Sequence, residues 1–195
     1  MRPLRLLPVF IALPLAGCIS FGTKPPSSLI RLTPAATAPA GETETIAPGR
    51  AVTVLVPAAP TELSVTRVPV ESGQSRLAYL KDAQWTDVPA RLFRDLLAET
   101  IRARTGRPTL DANGYHLAPG PRLGGRIDSF GLDADTMKVV LRFDATLQRT
   151  ENGPIETRRF EAQVPVAAPT AAAVSPALNQ AANDVAAQVA DWVGR

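Results

Sequence analysis

The feature that most constrains the fold is the stretch from Met137 to Arg149, in which apolar and polar residues alternate. The apolar positions are Val139, Leu141, Phe143, Ala145 and Leu147. Successive side chains of a strand point to opposite faces of a sheet, so this pattern places one face in a core and the other in water. We therefore expect a half-buried antiparallel strand. The turn residues Glu151 to Pro154 predict that Ile155 to Val166 returns as its hairpin partner.

Two segments have the spacing of amphipathic helices. In the first, Asp87 can act as the cap, Pro89 occupies the first turn, and Gly106 and Pro108 close the helix. The second is expected to follow a loop at Ala167 to Val174, with Ser175 as its cap and Pro176 in its first turn. Its apolar stripe consists of Leu178, Ala181, Val185, Val189 and Trp192.

Shorter apolar or β-branched segments predict the other strands. These are Leu29 to Thr33, Ala51 to Val56, Val65 to Val70, Arg76 to Leu80, Tyr115 to Leu117 and the region from Gly125 to Phe130. Ser72 to Gln74 predicts a hairpin turn, and Pro34 to Gly49 predicts a mobile loop. The sequence therefore favours a single α/β domain of the α+β type. It would contain a mostly antiparallel sheet of about six to seven strands packed by two main helices.

The N-terminus has the organisation of a secretory signal. Arg2 and Arg5 precede an apolar run from Leu6 to Leu15, and small residues follow it. The run is about half the roughly 20 apolar residues that a membrane-spanning helix needs, so we do not expect a permanent span. Cys18, directly after this segment, is the only cysteine, so no internal disulfide is possible and the fold must depend on its core.

The order Leu15-Ala16-Gly17-Cys18 resembles the bacterial lipobox. That resemblance implies that the thiol takes a diacylglycerol, that the chain is cut before Cys18, and that the new amine receives a further acyl chain such as palmitate. We predict a signal peptide at 1–17, the lipidated cysteine and a tether at 18–28, and the domain at 29–195. The alternative is an ordinary secreted protein with a free thiol.

The residue after the cysteine is Ile19, not Asp. By resemblance to the sorting rule of enteric bacteria, this points to the periplasmic face of the outer membrane. The rule varies among bacterial lineages, so retention at the inner membrane stays open.

The charge of the mature chain argues against nucleic-acid binding. Removing Arg2 and Arg5 with the signal leaves 19 basic residues against 18 acidic residues. Nucleic-acid binding needs a basic face that exchanges with counterions, and only mixed-sign clusters are found here. Arg102, Arg104 and Arg107 lie at the end of the first predicted helix, where cations suit the helix dipole, and we favour a solvated helix end over a phosphate site.

A longer segment, Arg76 to Ile101, resembles the ABC-type transport auxiliary lipoproteins, the group that includes the paraquat-inducible protein C-like lipoproteins. The matching positions are Tyr79, Ala83, Trp85, Asp87, Pro89, Leu92 and Leu96. Further matches are Leu32, Val52-x-Val54, Leu63-x-x-x-Arg67-Val68 and Trp192. Where many relatives have two β-branched residues after the arginine, this chain has Val68-Pro69. Because proline cannot donate to a ladder, we expect that strand to be an edge strand or to be kinked.

The resemblance implies a docking or gating role beside an ABC transporter and an MCE-type periplasmic protein that move lipids between the two membranes. The expected partners are those proteins and the membrane, with a homo-oligomer left open and no cofactor beyond the lipid on Cys18. The alternative is a carrier lipoprotein that itself binds lipid or another apolar ligand, which would need an apolar cavity.

Two places in the domain are candidates for a partner contact. Trp85 is either a core residue between a strand and the first helix, which we favour, or an aromatic anchor at an interface. The second helix carries a small, mostly uncharged second face, which is unusual for a purely solvated helix. It belongs either to an Ala-rich helix that lies on the sheet, which we favour, or to a contact with another subunit or partner. It contains Asn179, Gln180, Asn183, Ala187 and Gln188.

An enzyme is not expected. The single histidine, His116, follows a turn, and the chain has no Gly-x-Ser-x-Gly elbow. Asp133 and Asp135 supply too few oxygens for calcium, which takes six to eight. Gly124-Gly125 is followed by a strand and not a helix, so it predicts a bulge or a close backbone approach instead of a phosphate loop.

Overall fold

The computed structural model describes residues 28–41, 45–73, 75–113 and 120–195. These residues form a seven-stranded mixed sheet covered on one face by two helices, which confirms the predicted α+β single-domain class. The strands are β1 (Val52–Val54), β2 (Arg67–Ser72), β3 (Arg76–Gln84), β4 (Thr109–Leu110), β5 (Arg122–Asp133), β6 (Lys138–Gln148) and β7 (Ile155–Pro165). The helices are α1 (Pro89–Thr105) and α2 (Ala171–Val193).

Strand β5 is the centre of the sheet. On one side it pairs with β6 in antiparallel register, and β6 pairs in turn with β7, as the alternation and the turn residues predict. On its other side β5 takes two short strands, both parallel: β1 near its start and β2 near its end. The sequence does not predict these parallel pairs, because a short buried strand has no residue alternation that would indicate the direction of its neighbours.

The sheet and helices share one core. The inward residues of β6 and the buried faces of both helices are almost fully inaccessible. Phe93 of α1 lies edge-on to Phe143 of β6 with 5.3 Å between ring centroids, and Phe160 of β7 contacts Trp192 of α2 at 5.6 Å. Among the described residues, no helix is both long and apolar enough to cross a bilayer.

Both predicted helix starts require correction. The N-cap of α1 is Val88, and Asp87 instead accepts a hydrogen bond from the Val88 amide at 2.7 Å. Helix α2 starts before Ser175, with Thr170 as its N-cap. The earlier start follows from the helix-favouring Ala171–Ala173 segment and from Val174, which is buried in the core. Pro176 therefore lies inside the helix, where it removes one backbone hydrogen bond.

The glycine pair and the proline strand behave as the sequence indicates. Gly125 has φ +143°, and a Cβ there would lie 2.2 Å from the carbonyl oxygen of Asp144, so the position is a close backbone approach. Strand β2 is not an edge strand, because it lies between β3 and β5. Its pairing with β3 shifts register between Arg67 and Pro69, so the kinked alternative is the one observed.

Two of the predicted short strands are not found as strands among the described residues. Of the predicted strand at Leu29 to Thr33, only Ile30 forms a β-bridge, with Trp85. The predicted strand at Tyr115 to Leu117 lies outside the described residues, as do His116 and Gln74.

Candidate functional site: an N-terminal strap on the helices

Residues Leu29 to Ala38, here called the strap, run across the domain without forming a helix or a strand, apart from the β-bridge of Ile30 and a bend at Ala35 and Ala36. Even-numbered residues from Ile30 to Ala38 are buried or half-buried, whereas the odd-numbered residues are exposed. The strap begins at the edge of the sheet, where the Ile30 amide donates to the Gln84 carbonyl at 2.7 Å and the Thr86 amide donates to the Ile30 carbonyl at 2.8 Å. Cys18 and the tether, 18–27, lie outside the described residues and lead into this strap.

Two asparagines of α2 hold the middle of the strap. The side-chain oxygen of Asn179 accepts a hydrogen bond from the Thr33 amide, and that of Asn183 accepts one from the Ala35 amide, both at 2.7 Å. The side-chain amide of Asn183 also donates to the Thr33 carbonyl at 3.0 Å. Because these bonds reach backbone groups, the asparagines recognise an extended chain whatever side chains it carries.

Helix α1 holds the far end of the strap. The Ala38 amide donates to the Glu99 carboxylate at 2.7 Å. The strap therefore contacts the sheet edge, α2 and α1 in turn, and forms a third layer over the helices. The sequence predicts a loop from Pro34 onward, and Pro34 to Ala38 indeed form no helix or strand. The amides of Ala35 and Ala38 nevertheless donate to side chains of α2 and α1, which the sequence does not predict.

Of the residues that the sequence singles out for a partner contact, Trp85, Asn179 and Asn183 contact this strap. Trp85, 1% exposed, is in the core beside Phe130 with 5.1 Å between ring centroids, and its backbone pairs with Ile30. Asn179 and Asn183 bind the strap of their own chain. Ala187 lies one turn after Asn183 and is half-buried. Sequence reasoning missed Glu99 and the strap amides, since no local pattern reports a contact 61 residues away.

The outer face of the sheet carries a network of charges. The Arg159 guanidinium pairs with Asp144 at 2.6 Å and with Asp128 at 3.2 Å, and Arg142 pairs with Glu161 at 2.7 Å. The hydrogen bond from Arg159 lowers the pKa of the Asp144 carboxyl below its usual range. This face is polar and solvated, and opposite charges face each other across neighbouring strands.

A shallow groove of about 180 Å³ lies on the same face. Its lining includes Ser129, Gly131, Val140, Arg142 and Gln163. Its walls include arginine and glutamine side chains, and a more open hollow of about 510 Å³ is lined in part by Asp144, Arg158 and Arg159. Neither is the enclosed apolar cavity that an acyl chain needs.

The C-terminal ends of both helices form an arginine-rich corner. Arg104 pairs with Asp191 at 2.7 Å, and Arg107 donates to the carbonyls of Arg50 and Gly49 at 3.0 and 3.1 Å. Burial, together with the charges of Arg50 and Arg149, lowers the pKa of Arg107. Arg104 thus binds a carboxylate near the end of α2, whereas Arg107 binds carbonyls of the segment that precedes β1.

The residues weighed for catalysis or metal binding have structural partners. Asp133 accepts hydrogen bonds from the Asp135 and Thr136 amides, and Asp135 accepts one from the Gly73 amide at 2.6 Å. Within the described ranges, no group of three or more His, Cys, Asp or Glu side chains is placed to hold a metal ion.

The comparisons with known proteins address the family and the fold. The family model of the ABC-type transport auxiliary lipoprotein component matches residues 31–190. The fold is similar to that of protein XCC0632 from Xanthomonas campestris, with a TM-score of 0.62 and 18% identity, covering 86% of this chain and 91% of that chain. A second crystal structure, of an uncharacterized protein, has a TM-score of 0.64 and 16% identity, covering 75% of this chain and 93% of that chain.

No curated protein matches the chain. The two structural likenesses are both below 25% identity, so they support the fold alone. The family match supports family membership as well as the fold, because it covers most of the strap, the sheet and nearly all of both helices. The chain belongs to the family of ABC-type transport auxiliary lipoprotein components.

Proposed function

We propose that this protein is a lipid-anchored periplasmic docking component of an ABC transporter and of an MCE-type system that moves lipids between the two membranes. In this role it supports the integrity of the outer membrane, in which it is anchored. It acts by contact and not by making or breaking bonds. The family match supports a transport-associated lipoprotein.

The anchor keeps the domain close to the bilayer. Each buried methylene adds about 0.8 kcal/mol, so three acyl chains on Cys18 would make release negligible. Leu29 lies eleven positions after Cys18, and a fully extended chain spans at most about 3.6 Å per residue, so the strap starts within about 40 Å of the attachment point. Confinement to this layer raises the effective concentration of a partner without any added contact.

The strap makes the anchor part of the folded domain. Its hydrogen bonds reach Gln84 at the sheet edge, Asn179 and Asn183 on α2, and Glu99 on α1. Because the tether continues directly into this segment, force on the lipid is delivered to both helices.

The filled interior of the domain is the observation that favours a docking role over a lipid-carrier role. The space between the sheet and the helices is occupied by the chain's own aromatic and aliphatic side chains, all close to fully inaccessible. They include Phe93, Phe130, Phe143, Phe160, Leu96, Leu141 and Val189. A partner is therefore expected on the outer surfaces, and the same surfaces could also accept a second copy of the chain.

The test places a photo-crosslinking residue in the acylated protein within its own cell envelope, at Thr157 on the outer sheet face or at Gln188 on α2. Both positions are exposed. We expect an adduct with a transporter or MCE-type component from at least one position. Lipid bound noncovalently to the purified protein in fixed ratio, with no adduct from either position, would instead support the carrier.

A further inference from the structure

The surface at the β3 side of the sheet combines exposed apolar residues with basic charge. The described residues leave five large apolar side chains exposed: Leu29, Val56, Val65, Leu77 and Ile155. Three of these lie on the β3 side, since Leu29 starts the strap, Val65 precedes β2 and Leu77 belongs to β3. Their exposed fractions are 53%, 38% and 49%. Scattered exposed apolar residues are ordinary, so these three indicate an interaction surface only together with the charge of the same edge.

The three segments that carry these residues are tied together by backbone hydrogen bonds. The Ile30 amide donates to the Gln84 carbonyl, and the Trp85 amide donates to the Thr66 carbonyl, both at 2.7 Å. The Gln84 side chain also donates to the Thr66 hydroxyl at 3.0 Å. Leu77 is paired with Glu71 across β2 and β3. We call this surface, from Leu29–Arg31 through β2 to β3, the β3 edge.

The charge of the β3 edge is positive. Its exposed basic residues are Arg31, Arg67, Arg76 and Lys81, and its exposed acidic residues are Glu71 and Asp82. The mature chain as a whole is close to neutral, with 19 basic and 18 acidic residues. A net positive edge with exposed apolar side chains is complementary to a bilayer surface that contains anionic lipid.

The lipid tether ends at the same edge. Its last residue, Ser28, directly precedes Leu29, and the rest of the strap runs away from the edge toward Glu99. We propose that the β3 edge lies on the membrane surface, with Leu29, Val65 and Leu77 in the headgroup region and the basic residues on anionic phospholipids. This inference rests on the proposed lipid anchor and adds which surface the bilayer contacts.

The opposite edge of the sheet supplies an internal control. The order β3-β2-β5-β6-β7 puts β7 four strand spacings from β3, or about 19 Å at roughly 4.8 Å each. Ile155 on β7 is 64% exposed, so Leu77 and Ile155 are matched exposed apolar positions on opposite edges. Acylation consumes the only native thiol in this proposal, so an introduced cysteine can be labelled alone.

The experiment compares Leu77→Cys with Ile155→Cys in the acylated protein, each carrying an environment-sensitive fluorophore. The vesicles are phosphatidylcholine with a minority of phosphatidylglycerol, and a nitroxide on some headgroups acts as the quencher. We expect the label at 77 to be quenched at least about threefold more than the label at 155. Equal quenching, or stronger quenching at 155, in protein that floats with the vesicles overturns the inference.

A second arm separates contact from mere tethering. The double change Arg76→Glu and Lys81→Glu should reduce quenching of the label at 77 at least about twofold, and so should omission of phosphatidylglycerol. The control is the double change Arg102→Glu and Arg195→Glu, at two exposed positions away from this edge. It should leave the quenching of the label at 77 unchanged. Equal effects of both double changes contradict the proposed surface. Protein that does not float at all refutes the lipid anchor itself, and the inference with it.

Discussion

At the scale of single residues, the clearest feature is a polar side chain of α2 that binds backbone groups of the strap. Asn183 both accepts from the Ala35 amide and donates to the Thr33 carbonyl, so one side chain satisfies two strap groups. The sequence indicates Asn183 as part of a mostly uncharged helix face, but it does not predict which groups the side chain binds. The strap lies 148 residues away from it in sequence, and a hydrogen bond to backbone leaves no complementary residue type to find.

Replacing Asn183 with alanine should loosen the strap without unfolding the domain. We expect Asn183→Ala to lower the free energy of unfolding by about 1 to 2 kcal/mol, because two partly exposed hydrogen bonds are lost. Hydrogen exchange at the Ala35 amide should become at least about tenfold faster. The matched control is Gln188→Ala on the same helix face, expected within about 0.5 kcal/mol of wild type. Unchanged exchange at Ala35 would mean that Asn183 does not hold the strap.

The two adjacent glycines of β5 should differ sharply in their tolerance of a methyl group. A Cβ at Gly125 would meet the Asp144 carbonyl oxygen at 2.2 Å in a left-handed backbone, whereas a Cβ at Gly124 would make ordinary contacts at 3.4 Å. We expect Gly125→Ala to cost about 3 kcal/mol or more, or to prevent folding. Gly124→Ala should cost less than about 1 kcal/mol in urea unfolding. Similar losses from both variants would argue against the close approach of β5 and β6.

At the scale of elements, alternating strands and long helices could be predicted, and short or irregular segments could not. The hairpin of β6 and β7 follows from a period of two and a clear turn, and α1 follows from apolar spacing closed by Gly106, which has φ 62° as its C-cap. The starts of both helices and the strap depend on tertiary contacts. Strap residues such as Ala35 and Ala38 give no local signal, because their amides bind acceptors on α2 and α1 that are distant in sequence.

The junction of β3 and α1 depends on Trp85. It is buried between the strap and Phe130, so we expect Trp85→Ala to lower the free energy of unfolding by about 3 to 5 kcal/mol. The exposed neighbour Thr86 is the control, and Thr86→Ala should change stability by about 0.5 kcal/mol or less. If Trp85→Ala instead abolished partner binding at an unchanged thermal midpoint, the tryptophan would be an interface anchor.

The charge pairs of β6 and β7 should make stability depend on pH. Hydrogen bonding to Arg159 keeps the pKa of Asp144 lower in the folded chain than in the unfolded chain. Its contribution is therefore present above the unfolded value of about 4 and is lost as the pH falls through the folded value. We expect Asp144→Asn to be less stable than wild type near neutral pH, with the difference shrinking below about pH 4 in urea titrations.

Removal of the opposite partner supplies the check on this prediction. Arg159→Gln should shift the stability profile in the same direction, because it withdraws the hydrogen bond that favours the ionised carboxylate. Added salt should weaken both effects, since the pair is largely exposed. A difference that persists unchanged at low pH would show that the Asp144 effect is packing and not charge.

At the scale of the whole molecule, the described chain consists of a strap, two helices and a sheet, and the proposed lipid tether precedes the strap. The family could be identified from the order of motifs along the chain, and the match over residues 31–190 confirms it. The way in which the tether joins the domain could not be predicted from the sequence. It depends on contacts of the strap with β3, α2 and α1, which only the fold brings together. The account as a whole requires Cys18 to be the point at which the chain meets the membrane.

Intact mass spectrometry of the mature protein from cell envelopes tests this requirement most directly. The account predicts a chain that begins at Cys18 and carries the mass of a diacylglycerol and one further acyl chain. Substituting Cys18→Ala should abolish that mass shift and leave residues 1–17 uncleaved. A mature protein with an unmodified thiol, free in the periplasm, would contradict the account.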